Sequence, residues 1–143
     1  NVFGGGDADT LNGNAGNDTL RGDAGADKIN GGLGKDTMTG GADADRFIFS
    51  AKAHSMVGVN ADRIMDFDDG STGDRIDLSA LFGPTMTYLH SGAFTAAGQV
   101  RINDISGADV VVEVNTGGTL AADFSIRLVN TTLASMNAGD FVL

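Results

Sequence analysis

Apolar residues recur every nine positions through the first third of the chain: Val2, Leu11, Leu20, Ile29, Met38 and Phe47. Leu11, Leu20, Ile29 and Met38 each sit between two polar neighbours, the alternation of a short strand with one buried face. The six residues that separate one such triplet from the next are rich in glycine, which tolerates the left-handed conformations of tight turns. Stacked in register, residues 4–48 read GGGDADTLN, GNAGNDTLR, GDAGADKIN, GGLGKDTMT and GGADADRFI. Turn, strand, turn, strand closes one coil of two units, about 18 residues. Two small parallel sheets result, with Leu11, Ile29 and Phe47 stacked on one and Val2, Leu20 and Met38 on the other. Val2 takes the apolar place of a preceding copy, so the array is expected to begin upstream of residue 1.

Each unit also carries one aspartate, two residues before its apolar position: Asp9, Asp18, Asp27, Asp36 and Asp45. One core side chain per nine residues is thin support for glycine-rich turns. Stacking also brings the aspartates close together. A divalent cation between successive turns removes both difficulties, and calcium takes about 6–8 oxygen ligands from carboxylates and main-chain carbonyls.

The pattern GGxGxDxUx is that of a calcium-binding parallel β-helix, and these residues resemble the RTX (haemolysin-type) calcium-binding repeats. In that family an ion lies between one repeat and the next but one, held by positions two, four and six of the first and one, three and six of the second. The resemblance implies one site from Gly5, Asp7 and Asp9 with Gly22, Ala24 and Asp27. A second would use Asn14, Gly16 and Asp18 with Gly31, Leu33 and Asp36, and a third Asp23, Gly25 and Asp27 with Gly40, Ala42 and Asp45. Position-six aspartates bind through side chains, the others through carbonyls. Gly32, Gly34, Gly41 and Asp43 are further candidates. Glycine is replaced at position two by Asn14 and Asp23 and at position four by Asp7 and Asp43, and Asn and Asp best tolerate left-handed backbone.

Beyond Phe47 the period fails, and Phe47–Phe49 reads as the last strand of the roll. Residues 50–61 read as a polar loop, 62–67 as a strand, 68–73 as a turn, and 74–83 as a strand followed by a helical turn, with Ser79 as its cap and Gly83-Pro84 as its stop. The stretch from RFIFSA to DRIDLSALF resembles the segment closing the β-roll of serralysin-type metalloproteases and of the mannuronan epimerase modules. There an acidic residue completes the last calcium sites; Asp62 and Asp74 are the candidates here, Asp66 and Asp77 their rivals. Residues 100–102, 109–114 and 124–129 read as strands, 115–118 as a hairpin turn, 121–123 as the start of the returning strand, and 133–136 as a helical turn. The fold class expected is all-β, a parallel β-roll continued by a small antiparallel β-sandwich, with repeats over 1–49 and a capping region over 50–143. The terminal GDFVL is similar to the end of serralysin-like chains, where it accompanies a signal for type I secretion.

Composition sharpens this reading. Nine basic against nineteen acidic residues leave a net charge of −10, and every acidic residue but Glu113 is Asp. Helical surfaces favour Glu; this bias favours turns and metal loops, and about five divalent cations would neutralise the excess. Such charge argues against nucleic-acid or anionic-membrane partners, and no apolar run suggests a membrane span. There are no cysteines, which is compatible with an extracellular protein if calcium supplies the crosslinks instead. No signal peptide or initiator methionine is seen, so the chain reads as a fragment of a larger protein. HExxH, GxSxG, P-loop and dinucleotide fingerprints are missing, and His54 and His90 lie far apart. A non-catalytic calcium-binding accessory module of a secreted enzyme is therefore expected. The alternatives are the repeat domain of an adhesin or surface-layer protein, and a polysaccharide-binding module using Arg21, Lys28, Lys35 and Arg46.

Overall fold

The computed structural model describes residues 1–70, 73–82, 86–117 and 119–143. The repeats form six strands in two parallel stacks. Strands β1 (Val2–Gly5), β3 (Thr19–Ala24) and β5 (Thr37–Ala42) lie in one sheet, and β2 (Thr10–Asn12), β4 (Lys28–Asn30) and β6 (Arg46–Ile48) in the other. Register follows the 18-residue coil: Val2 pairs with Leu20 and Leu20 with Met38, while Leu11 pairs with Ile29 and Ile29 with Phe47. Leu20, Ile29, Met38 and Phe47 are wholly buried, each worth about 1.5–3 kcal/mol relative to exposure. One sheet has three-residue strands, as the pattern predicts. In the other, β3 and β5 run on through the next three residues, because Asp23 pairs with Gly41 and Ala24 with Ala42.

Phe47–Phe49 does not end the roll. β7 (Asp62–Ile64) stacks parallel on β5, with Ile64 beside Met38, and β8 (Arg75–Asp77) stacks parallel on β6, with Ile76 beside Phe47. The chain thus completes another coil without the nine-residue spacing, since two longer connections replace the repeat turns. The first of them, read as a plain loop, contains 3-10 turns at Lys52–His54 and Gly58–Asn60 and a fully buried Ser55. After β8 comes the single α-helix among the described residues, α1 (Ser79–Phe82). Ahead of it the Asp77 carboxylate accepts from the Ser79 amide at 3.0 Å and from its hydroxyl at 2.7 Å. The expected stop at Gly83-Pro84 lies outside the described residues.

The remaining strands extend the roll's own two sheets. β9 (Thr87–Tyr88), β10 (Gln99–Asp104), β11 (Asp109–Asn115) and β12 (Phe124–Val129) join the β1-β3-β5-β7 sheet, with β12 parallel to β7 and antiparallel to β11. Val110, Val112 and Val114 alternate inward against Ile102, Ile126 and Leu128, all at most 1% exposed. On the outer face Arg101 pairs with Glu113 at 2.8 Å and Arg127 with Asp109. Hydrogen bonds from Arg127 hold the Asp109 carboxyl below its usual range. Gly118 of the expected hairpin turn lies outside the described residues; the returning strand starts at Phe124 rather than at 121–123, where Asp123 Oδ1 instead accepts from the Thr116 amide at 2.9 Å. Residues 133–135 form a hydrogen-bonded turn, not a helix. The last strand, β13 (Phe141–Val142), closes the second sheet parallel to β8. An edge-to-face contact of Phe49 with Phe124, centroids 5.4 Å apart, joins the layers beyond the repeats. No helix among the described residues is long and apolar enough to cross a membrane.

Candidate calcium centre

Because one coil spans two repeats, alternate aspartates fall in two columns, one along each edge of the roll. The columns are hydrogen-bonded ladders. On one edge the Asp9 amide donates to Asp27 Oδ1 at 2.7 Å, the Asp27 amide to Asp45 Oδ1 at 2.8 Å, and the Asp45 amide to Asp74 Oδ1 at 2.9 Å. On the other, the Asp18 amide donates to Asp36 Oδ1 at 2.8 Å and the Asp36 amide to Asp62 Oδ1 at 2.7 Å. Asp62 and Asp74 therefore continue the ladders from outside the repeats. Their rivals do other work. The Asp66 carboxylate accepts from the Gly40 and Gly41 amides at 2.9 and 3.0 Å, and Asp77 pairs with Arg46 at 2.9 Å besides accepting from Ser79.

Each rung uses one carboxylate oxygen. The other oxygen of Asp27, Asp36, Asp45 and Asp62 is buried without a hydrogen-bond partner among the described residues, and none of the four residues is more than 1% exposed. Unpaired buried carboxylates are costly. In Asp27, Asp36 and Asp45 that oxygen leans over the glycine opening its own turn, so a Cβ at Gly22, Gly31 or Gly40 would collide with it. The same hypothetical Cβ on Gly22 would lie 2.6 Å from the Gly40 carbonyl, and one on Gly25 would lie 2.6 Å from the Asp7 carbonyl. The carbonyls of Asn14, Gly16 and Asp23 crowd Gly32, Gly34 and Gly41 in the same way.

The backbone that aims these carbonyls is left-handed at both variable turn positions. Position two is so in every repeat, including Asn14 at φ 73° and Asp23 at φ 76°; position four is so in Gly16, Gly25, Gly34 and Asp43, but not in Asp7. Repeat n lies against repeat n+2, the pairing the ligand sets require: Gly5 faces Asp23 and Ala15 faces Leu33. Some of the candidate carbonyls also serve the coil-to-coil bonds. Asn14 O accepts from the Leu33 amide at 2.7 Å, Leu33 O from Gly16 at 2.8 Å, and Ala42 O from Gly25 at 3.2 Å, each leaving its second lone pair. The side chains at positions two and four stay outside the columns, with Asp7 and Asp43 exposed and Asp23 paired to Arg21.

Burial raises the pKa values of Asp36, Asp45, Asp62 and Asp74, and neighbouring carboxylates add to it. Asp45 is pushed up to about 7 by burial and by Asp74, Asp27 and Asp66, against the lowering effect of the Asp27 amide. Asp62 is pushed to about 8 by burial and Asp36, and Asp74 to about 6 by burial, Asp66 and Asp68. Asp36 is raised for the same reasons. Burial lowers the His54 imidazole, opposed by Asp36, while His90 contacts the Tyr88 hydroxyl at 3.1 Å, away from the columns. A cation placed among the free oxygens would satisfy them and cancel the repulsion. All the donors are hard oxygens, carboxylate or carbonyl, which suits calcium rather than a thiolate- or imidazole-seeking metal.

Sequence reasoning did not find Ser55. Its hydroxyl, fully buried, accepts from the Asp62 amide at 2.8 Å and donates to the Ser125 carbonyl at 2.5 Å. A serine in a polar loop carries no signal of such a role.

A parallel roll whose turns converge carboxylate and carbonyl oxygens between coils defines a calcium-binding β-roll. The profile of the RTX calcium-binding nonapeptide repeat, in four copies, matches residues 3–38 and 27–50. Among solved structures the chain is similar to the AlgE6R3 subunit from the Azotobacter vinelandii mannuronan C5-epimerase, with 30% identity over 97% of this chain and 80% of that one and a TM-score of 0.62. The AlgE6R2 subunit from the same epimerase shares the fold at 22% identity, covering 95% and 92% of the two chains, with a TM-score of 0.56. No curated protein matches the sequence significantly. The chain belongs to the RTX calcium-binding nonapeptide-repeat family.

Proposed function

We propose that this chain is a non-catalytic module whose fold is completed by calcium, part of an extracellular protein exported unfolded by a type I system. The observation that carries the reading is the pair of aspartate ladders, in which four buried carboxylate oxygens have no partner among the described residues. The three ligand sets built on Asp9–Asp27, Asp18–Asp36 and Asp27–Asp45 each coincide with one rung. The rung Asp36–Asp62 adds a step of the same kind, with Gly32 and Gly34 as the turn residues beside it; the rung Asp45–Asp74, beside Gly41 and Asp43, adds one in which Asp74 Oδ2 also accepts the Asp68 amide. Five ions would then match the formal charge of −10.

In a calcium-poor cytosol the columns repel themselves, which keeps the chain fit for export. At about 10⁻⁴–10⁻³ M calcium, typical of extracellular modules, binding becomes folding free energy. The capping region 50–143 is then the closing half of one unit with repeats 1–49. By likeness to a subunit of an epimerase, the module supports an enzyme acting on an acidic polysaccharide, carried upstream in the same chain. The test is far-UV circular dichroism during a calcium titration, with magnesium as control and chelator to reverse it. A cooperative gain of β signal with calcium alone supports the reading. A chain equally folded in chelator refutes it.

A second reading, direct polysaccharide binding, is favoured by an open groove of about 400 Å³ on the outer face of β10–β12, where Asn103, Glu113 and Arg127 adjoin Val59, Ile105 and Val111. The cations named from sequence support it less, since Arg21 and Arg46 are already paired with Asp23 and Asp77. Titration of the calcium-loaded module with mannuronate oligomers decides it, a lack of chemical-shift change on β10–β12 counting against.

A further inference from the structure

Each rung of the two ladders sends an aspartate amide to a carboxylate one coil further on. A rung therefore fixes that carboxylate's rotamer, and with it the direction of the second oxygen. At the far end of the shorter ladder this logic changes. The Asp62 amide has no further carboxylate to donate to, and Ser55 Oγ takes it at 2.8 Å. That hydroxyl passes its own proton to the Ser125 carbonyl at 2.5 Å. Ser55 and Asp62 are 0% exposed and Ser125 2%, so nothing here is held by solvent. Ser125 lies in β12, the strand through which the antiparallel region joins the roll, with Ile126 opposite Asp62 and Leu128 opposite Ile64.

Why a hydroxyl stands at this place follows from donor counting. The Asp62 amide needs an acceptor and the Ser125 carbonyl needs a donor. A carboxylate supplies the first and repels the second, an aliphatic side chain supplies neither, and a hydroxyl supplies both. The other ladder also ends on a neutral acceptor, the Asp68 carbonyl, which receives the Asp74 amide at 2.7 Å. There, however, the Asp68 amide already occupies Asp74 Oδ2 at 3.0 Å. Asp62, by contrast, keeps its second oxygen free of any partner among the described residues.

We propose that Ser55 is the positioning residue for calcium at the Asp36–Asp62 step, and that the same hydroxyl couples this step to the docking of β12. This rests on the reading that Asp36 and Asp62 hold calcium. Ser55 does not touch the ion; it holds the Asp62 backbone so that the carboxylate can reach both the Asp36 amide and the metal. Occupancy of that one step should thereby tighten β12, while the Asp9–Asp27–Asp45 steps on the opposite edge are indifferent to Ser55.

The experiment compares the parent chain with Ser55→Ala, Ser55→Thr and Asp62→Asn, by calorimetric calcium titration and by amide hydrogen exchange over residues 124–129 with and without calcium. Loss of one buried hydrogen bond corresponds to about tenfold in affinity. Ser55→Ala should weaken one ion about tenfold, leave the others unchanged and reduce the calcium-dependent protection of β12; Ser55→Thr should restore both. A Ser55→Ala chain that melts earlier but binds every ion as the parent does would show the hydroxyl to be structural and overturn the proposal. Should Ser55→Ala not fold, Ser55→Thr is read instead: parent-like binding of every ion with parent-like protection of β12 is expected, and a chain in which one ion weakens while the calcium-dependent protection of β12 is kept would uncouple the two and overturn the proposal. If Asp62→Asn binds as many ions as the parent, with the same affinities, the underlying assignment of that step fails instead.

Discussion

Replacing Asp27 by asparagine tests the ladder most directly. Asp27 is 1% exposed, its Oδ1 receives the Asp9 amide, its own amide reaches Asp45, and it belongs to two of the proposed calcium steps. Asparagine keeps the shape and the acceptor oxygen but removes the charge from both. Changes to groups one shell away from a metal cost about 10–100-fold in affinity, so a lost charged ligand should cost at least that at each step. Two steps amount to about 3–6 kcal/mol. If five ions bind cooperatively with folding, this spreads to about 0.6–1.2 kcal/mol per ion, a three- to eightfold rise in the calcium midpoint, roughly. In chelator the sign reverses, because the variant removes one charge from a buried like-charged column. The assay is circular dichroism in calcium buffers, followed by thermal melts in chelator. Asp7→Asn is the control, since that side chain is exposed and its proposed contribution is a carbonyl. An Asp27→Asn midpoint coinciding with that of the parent would refute the ligand register.

Three further outcomes follow from the same geometry. Gly5 and Gly41 both have positive φ, 124° and 116°, but only a Cβ on Gly41 meets backbone, the Asp23 carbonyl; Gly5→Ala should cost about 1–3 kcal/mol and Gly41→Ala clearly more in calcium-saturated melts, equal losses counting against the close stacking of turns. With Asp45 near 7 and Asp62 near 8 when folded against an ordinary aspartate value of 3.8 when unfolded, the calcium-free fold binds more protons than the unfolded chain between about pH 4 and 8. Its stability must therefore fall as pH rises through that window, while calcium binding releases protons and strengthens; calorimetry in buffers of different ionisation heat would detect that release, and none at pH 6.5 would contradict the burial of these groups. Phe47, wholly buried between Ile29 and Ile76 and 6.3 Å from the Phe67 ring, should cost about 3–5 kcal/mol on truncation to alanine, measured by urea unfolding in saturating calcium; a loss below about 1 kcal/mol would mean the roll core is not what holds the strands.

How much of this was legible depended on whether a coil met a copy of itself. Leu20 faces Met38 and Asp9 meets Asp27 because identical turns stack on identical turns, so a nine-residue period encodes both the core and the ladder. The left-handed Asn14, Asp23 and Asp43 were legible for a local reason, since few other residues accept that backbone. Past Phe47 the partners are unlike one another. Asp62 lies 26 residues from the aspartate it meets and Asp74 lies 29 from its own, spacings that no period announces; family resemblance, not pattern, pointed to an acidic residue in this segment and left Asp66 and Asp77 as rivals. Ser55 was invisible as a participant because its role comes from a neighbour supplied by a distant part of the chain.

The alternation of the ladders between the two edges gives the roll a parity. Adjacent repeats in sequence never touch through their aspartates; those that do are two repeats apart. Strands β7 and β8 are each committed to one sheet, β7 through Met38 and β8 through Phe47. Removing nine residues from the array would hand each closing strand the wrong neighbours and set Asp62 and Asp74 against the wrong columns, whereas removing eighteen would leave every junction as it is. Insertions obey the same rule, so the array can lengthen or shorten only by whole coils. Calcium-dependent folding of nine- and eighteen-residue deletions, compared side by side, would reveal that even-numbered arithmetic.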